Sequence, residues 1–110
     1  MSLKCKQVLN SGVVRFSDSG KPVSRVAVCG GSGGDFFEQA IANGCDTFVT
    51  ADVKHHLFVR AKHLGINLFD CGHFATENII IPVIQQQLEQ DFPNLQTIRT
   101  QNNKEPFQCL

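Results

Sequence analysis

The sequence predicts one α/β domain, residues 1–110, with a layered sheet of mostly parallel strands and one antiparallel hairpin strand near its N-terminus. Three observations carry this. Val26-Ala27-Val28-Cys29, Thr47-Phe48-Val49-Thr50 and Ile66-Asn67-Leu68-Phe69 are short β-prone runs. Each is followed by apolar residues at helical spacing. Glycines stand where the first two helical stretches should stop, at Gly44 and Gly65. Three strand–helix units in succession call for crossover connections, and crossovers make parallel sheets.

The elements follow in order. Cys5 to Leu9 reads as a short helix ending at Asn10-Ser11-Gly12. Val13-Val14-Arg15-Phe16 reads as a strand. The turn-rich Ser17–Pro22 leads from it into the strand near Ser24, which predicts an antiparallel hairpin. After Cys29 comes Gly30-Gly31-Ser32-Gly33-Gly34, then Asp35 as the N-cap of a helix carrying Phe36, Phe37, Ala40 and Ile41. The second helix carries Leu57, Phe58, Ala61 and Leu64. The third helical stretch runs from His73 to about Phe92. Pro82 lies inside it and cannot donate to the carbonyl of Asn78, so a kink or a loose first turn is expected. Ile81, Ile84 and Leu88 should form its buried stripe. Leu95–Thr100 reads as a last strand, and Gln101–Leu110 as irregular.

Composition narrows the function classes. Apolar residues make up 42% and charged residues 18%, a globular balance. Ten Lys and Arg offset ten Asp and Glu, so the basic excess of a nonspecific nucleic-acid binder is missing. No apolar run approaches the ~20 residues of a membrane span, and Met1–Cys5 has no signal-peptide pattern. The five cysteines include no C-x-x-C pair. They read as small buried thiols in a reducing cytoplasm.

Parallel α/β sheets collect ligands at the carboxyl ends of their strands. Three groups fall there: the Gly30–Asp35 loop, Asp52 with His55 and His56, and Asp70 with His73 and Glu77. Gly31, Ser32 and Gly33 could offer backbone N–H groups to an anion. The loop fits neither G-x-G-x-x-G nor Walker A, and a tight turn under close packing explains the glycines equally. His73 and Glu77, four apart, share one helix face, and imidazole with carboxylate suits zinc, manganese or iron. Two ligands do not complete a site, because catalytic zinc normally takes three from protein. Asp52 and His56 are either cap and first-turn residues or groups behind a metal site. Cys71 reads as packing, with ligand or nucleophile as the other option.

These segments resemble a known family. Val26–Asp35, Thr50-Ala51-Asp52-Val53-Lys54-His55-His56, Asp70-Cys71-Gly72-His73-Phe74-Ala75-Thr76-Glu77 and Asn103-Lys104-Glu105-Pro106-Phe107 resemble, in order, four motifs of the Nif-three-like dinuclear metal-centre proteins, often labelled GTP cyclohydrolase 1 type 2 homologues. The resemblance implies two intertwined α/β lobes, of which this chain is similar to the C-terminal one, with Met1–Leu3 as residues ahead of the domain. It implies that His73 and Glu77 are metal ligands, two metals sitting in a full site that an N-terminal lobe completes. It implies that Asp52 and His56 line the same cleft. It further implies a ring-like homo-oligomer, a hydrolase-like reaction on a nucleotide-like small molecule in the whole protein, and an inactive isolated lobe. The competing expectation is a non-catalytic metal- or anion-binding oligomerisation module.

Overall fold

The computed structural model describes residues 1–110. Helix α1 (Ser2–Val8) is followed by strands β1 (Arg15–Ser17) and β2 (Val26–Val28), and by a single 3-10 turn (Gly34–Phe36) running into α2 (Phe37–Ala42). Then come β3 (Thr47–Thr50), α3 (His55–Leu64), β4 (Asn67–Asp70), α4 (His73–Asn78) and α5 (Ile80–Asp91). The sheet order is β1-β4-β3-β2. β2, β3 and β4 run parallel, and β1 is antiparallel to β4. The three strand–helix units and the mostly parallel sheet are as the sequence predicts.

β3 and β4 occupy the middle of the sheet, and every residue of both is buried. Their side chains alternate between faces. Phe48 and Leu68 join Phe37, Ala40, Val53 and Ala61 in one cluster, filled from α2 and α3. Val49 and Phe69 join Cys5 and Cys71 on the other face, under α1. The Phe37 and Phe48 rings lie 6.4 Å apart, the contact that seats α2 on the sheet. α3 ends as expected, with Gly65 in the left-handed conformation at φ 66°. Gly44 at φ 74° turns the chain after α2.

Four expectations change. The N-terminal antiparallel strand exists, but its neighbour is β4 and not β2. Phe16 stacks on Phe69 with ring centroids 5.8 Å apart, and Arg15 pairs with Asp70. Asn67 at the start of β4 accepts from Ser19 N at 2.9 Å and Ser19 Oγ at 2.8 Å, so the connection crosses the sheet end instead of folding back as a hairpin. Asp35 does not cap a helix; it lies within the 3-10 turn with no side-chain cap bond. Leu95–Thr100 forms no strand, because no neighbour lies beside it to complete a ladder.

The fourth concerns the apolar stripe around Pro82, where the expected kink itself is present. The helical stretch breaks into α4 and α5 at Ile79, one turn ahead of the proline. Asn78 is the residue whose carbonyl the Pro82 ring would strike, and it is the last residue of α4. Beyond that break α5 is covered only in part, by the segment that follows it, with Gln85 Nε2 donating to Thr97 Oγ1 at 3.0 Å. Ile81, Ile84 and Leu88 are 40%, 48% and 38% exposed, so the predicted buried stripe faces outward. The whole chain exposes 7829 Å², against about 6,000 Å² for a folded monomer of its mass. Its radius of gyration is 16.1 Å, against roughly 13 Å for a domain of this length. Exposed apolar side chains stand along α5 and also at Leu3, Val8 and Val28. No helix is long and apolar enough to cross a membrane.

The core predicts its own weak point. Phe48 sits on the central strand, 2% exposed and packed on Phe37. Phe48→Ala should lower unfolding free energy by about 3–5 kcal/mol, read as a fall in the urea midpoint.

Candidate metal-binding site

The parallel register brings the chemistry together. Thr50 pairs with Asp70 across β3 and β4, so both strands end level at one edge of the sheet. The chain leaves β3 through Ala51-Asp52-Val53 and leaves β4 through Cys71-Gly72 into α4. Asp52 takes the left-handed conformation at φ 53°, which aspartate tolerates better than most residues. Gly72 turns at φ 86° into His73, the first residue of α4.

This geometry places three side chains in a row. Asp52 Oδ2 lies 2.6 Å from His73 Nδ1. His73 Nε2 lies 3.1 Å from Glu77 Oε2, across one helical turn. All three side chains are about half exposed. With Nδ1–H donating to Asp52, a neutral His73 keeps its Nε2 lone pair on the side of Glu77. The hydrogen bond to Asp52, aided by the nearby Glu77 carboxylate, holds the His73 pKa above its ordinary value.

The glycine loop forms the floor of this row. A Cβ on Gly31 would run into the Glu77 carboxylate and come within 3.2 Å of His73 Nε2. Gly31 also sits at φ 66°. Glycine is therefore required where the loop passes beneath the pair. The loop is fastened by hydroxyls. Gly31 N donates to Thr76 Oγ1 at 2.9 Å, and Gly33 N to Thr50 Oγ1 at 3.0 Å. Thr50 Oγ1 in turn donates to Gly31 O at 3.1 Å. Of the three residues expected to cradle an anion, Gly31 and Gly33 thus use their N–H groups inside the chain. The tight turn under close packing is the reading that stands.

His56 is not brought into the row. It lies exposed on the first turn of α3 and makes no hydrogen bond or ion pair. Asp52 does not cap α3 either; the N-cap position is Lys54, and Asp52 faces His73 instead. Cys71 is fully buried, and burial pushes its thiol up to about 12, which fits the packing reading. Asp70, grouped with His73 and Glu77 at the strand end but given no role there, is buried and accepts from Val53 N and Gly72 N. Its signal in the sequence was its place at the end of a strand.

The donor set fits a divalent cation in part. Metal–nitrogen and metal–oxygen bonds of about 2.0–2.2 Å separate two ligand atoms on one ion by roughly 3.0–3.4 Å. His73 Nε2 and Glu77 Oε2 stand 3.1 Å apart. Asp52 meets the other ring nitrogen and so cannot share that ion with Nε2. No three His, Cys, Asp or Glu side chains converge on one point.

Comparison with known proteins agrees with this architecture. The family model Duf34/NIF3 (NGG1p interacting factor 3) matches residues 1–106. This chain belongs to the Duf34/NIF3 family. It is 34% identical over 109 residues to a GTP cyclohydrolase 1 type 2 homolog of Staphylococcus aureus, covering 96% of this chain and 30% of that protein. It is 40% identical over 106 residues to the protein of that name from Campylobacter jejuni, covering 94% of this chain and 41% of that one. Among solved structures, one from Staphylococcus aureus superposes with a TM-score of 0.79 at 33% identity, over 96% of this chain and 36% of that one. A Bacillus cereus protein related to NIF3 gives 0.75 at 29% identity, over 99% and 31%. The chain therefore spans about a third of the length of the relatives it matches.

The His73 geometry makes a pH prediction. In metal-free protein the imidazole should titrate above the ordinary histidine value, followed by its ring signals in NMR. Asp52→Asn should move the midpoint down. A raised folded value means the stabilising contribution is full below the unfolded histidine pKa and is lost as pH rises through the folded one. A midpoint that Asp52→Asn leaves unchanged would contradict the assigned cause.

Proposed function

We propose that this chain is the C-terminal half of a divalent-metal-binding, hydrolase-like protein, and that His73 and Glu77 are its contribution to a dinuclear site. The observation that carries the reading is the 3.1 Å separation of His73 Nε2 and Glu77 Oε2, with Asp52 on the opposite ring nitrogen. Carboxylate–histidine pairs of this kind fix the ring and its tautomer and make the free nitrogen a better ligand. Zinc, manganese and iron all accept an imidazole with a carboxylate. Such a centre, when bound, lowers the pKa of a coordinated water and polarises a substrate oxygen.

Three functions fall to the chain's own residues. Asp52 keeps the proton on Nδ1 and off Nε2. Gly31 leaves the space beside Glu77 open, where any side chain would enter it. Thr76 fastens the loop to α4 through Gly31 N. The substrate class we propose is a nucleotide-like polar molecule acted on by the whole protein. This chain alone is inactive, because half of the ligand shell comes from an N-terminal lobe.

The exposed α5 fits the same reading. A surplus of about 1,800 Å² over a folded monomer of this mass is more than twice the roughly 800 Å² that each partner gives to a standard protein–protein interface. We take the missing lobe as what covers it. Without that lobe, copies of this chain should cover one another.

Two measurements test the proposal. Titrated with zinc, manganese or iron(II), the chain should bind weakly, and metal should not survive gel filtration. His73→Ala and Glu77→Ala should each abolish the binding. Tight metal that His73→Ala leaves in place would overturn the ligand assignment. Tight, His73-dependent metal would close the site between copies and overturn the missing-lobe part. In sedimentation, the mass should rise with concentration, and Ile84→Glu with Leu88→Glu should return it to the monomer. A monomer at every concentration would count against the uncovered-face argument.

A further inference from the structure

Asp70 is 5% exposed, yet it is a carboxylate, and every oxygen of it is engaged. Oδ2 accepts from Val53 N at 2.9 Å and from the Arg15 guanidinium. Oδ1 accepts from Gly72 N at 3.2 Å. Arg15 Nη2 also donates to Val53 O at 3.1 Å. The guanidinium lies over the Phe58 ring, 5.5 Å from its centroid, which holds it in place from the α3 side. Both backbone groups of Val53 are thus taken by one ion pair.

The residues gripped are telling. Val53 directly follows Asp52, whose positive φ is an uncommon conformation for a residue with a side chain. Gly72 directly precedes His73. One carboxylate therefore reaches the backbone beside each partner of the Asp52–His73 hydrogen bond. Asp70 touches neither side chain itself.

We infer that Asp70, braced by Arg15, is a positioning residue: it locks the two strand-end turns together so that Asp52 meets His73 Nδ1 and leaves Nε2 facing Glu77. The inference rests on the metal-site reading for its purpose, while the clamp itself can be tested in metal-free protein. A carboxylate is needed because both oxygens must accept. Asparagine has the same shape, but its NH2 must face either Val53 N–H or Gly72 N–H, donor against donor. Arg15 comes from β1, so the antiparallel edge strand is part of the site's support.

The decisive variant is Asp70→Asn in the full 110-residue chain, with Arg60→Gln as control, since that change breaks an ion pair to Glu38 away from the site. Three signals are read. Amide hydrogen exchange at Val53 and Gly72 should accelerate about tenfold or more while Val49 on β3 does not change. At alkaline pH, where the imidazole is neutral, the ring nitrogen shifts of His73 should move from one fixed tautomer towards a mixture. Zinc affinity should fall about tenfold or more. Arg60→Gln should change none of these.

A folded Asp70→Asn chain whose His73 tautomer is unchanged overturns the inference, however much the stability falls. If the wild-type chain binds no zinc, the metal-site reading fails for this chain, and the exchange and tautomer signals still decide the clamp. If Asp70→Asn does not fold, Arg15→Gln decides on the same two signals. It keeps the Asp70 carboxylate and removes its brace. Movement of the His73 ring supports the clamp, and an unmoved ring overturns it.

Discussion

The register between β3 and β4 is the constraint on which the rest depends. Thr50 stands opposite Asp70, and the two strands run parallel. Two chain exits therefore leave the sheet side by side at one edge. A slip of one residue would reverse the faces of Phe48 and Leu68, and the core would oppose it. The buried aromatic and aliphatic side chains thus fix more than stability. They fix which residues emerge together, and Asp52 and His73 are in contact because the core admits no other register.

Given that edge, the polar groups behind the site have little freedom. Buried hydroxyls and carboxylates must find partners, and no buried side-chain polar atom is left without one. Thr50 and Thr76 meet the requirement by holding the glycine loop. Asp70 meets it through two backbone amides and an arginine. Each bond that satisfies burial also immobilises a segment beside His73 or Glu77. The rigidity that a metal ligand needs follows here from the ordinary demand that buried polar groups be paired.

Much of this was legible in the sequence, and the boundary has a physical cause. Strand–helix alternation placed the three parallel units, and the strand ends located His73, Glu77 and Asp52. The i, i+4 spacing alone puts His73 and Glu77 on one helix face. What the pattern could not show was pairing across the sheet. Arg15 and Phe16 look like half of a local hairpin, yet their partners are Asp70 and Phe69, more than fifty residues away. Gly31 and Gly33 show the same limit: the sequence shows their N–H groups but not the threonines that accept from them. His56 sits in the motif but not in the row, because α3 begins at His55 and turns it outward.

Leu95–Thr100 and α5 failed in a different way. Their patterns are sound: one is β-prone, the other amphipathic. The structure gives the first no strand to pair with and leaves the apolar stripe of the second exposed. A strand needs a ladder and an apolar stripe needs a face, and both belong to tertiary structure. The same accounting applies to the site. As the proposed ligands, His73 and Glu77 would supply two atoms where a tetrahedral centre needs four, usually three of them from protein. The unpaired segment, the exposed stripe of α5 and the short proposed ligand set occur together in one 110-residue chain. The relatives are about three times as long. In the proposed reading, one further polypeptide segment packed on α5 and facing the edge where β3 and β4 end supplies the strand partner, the cover and the remaining ligands.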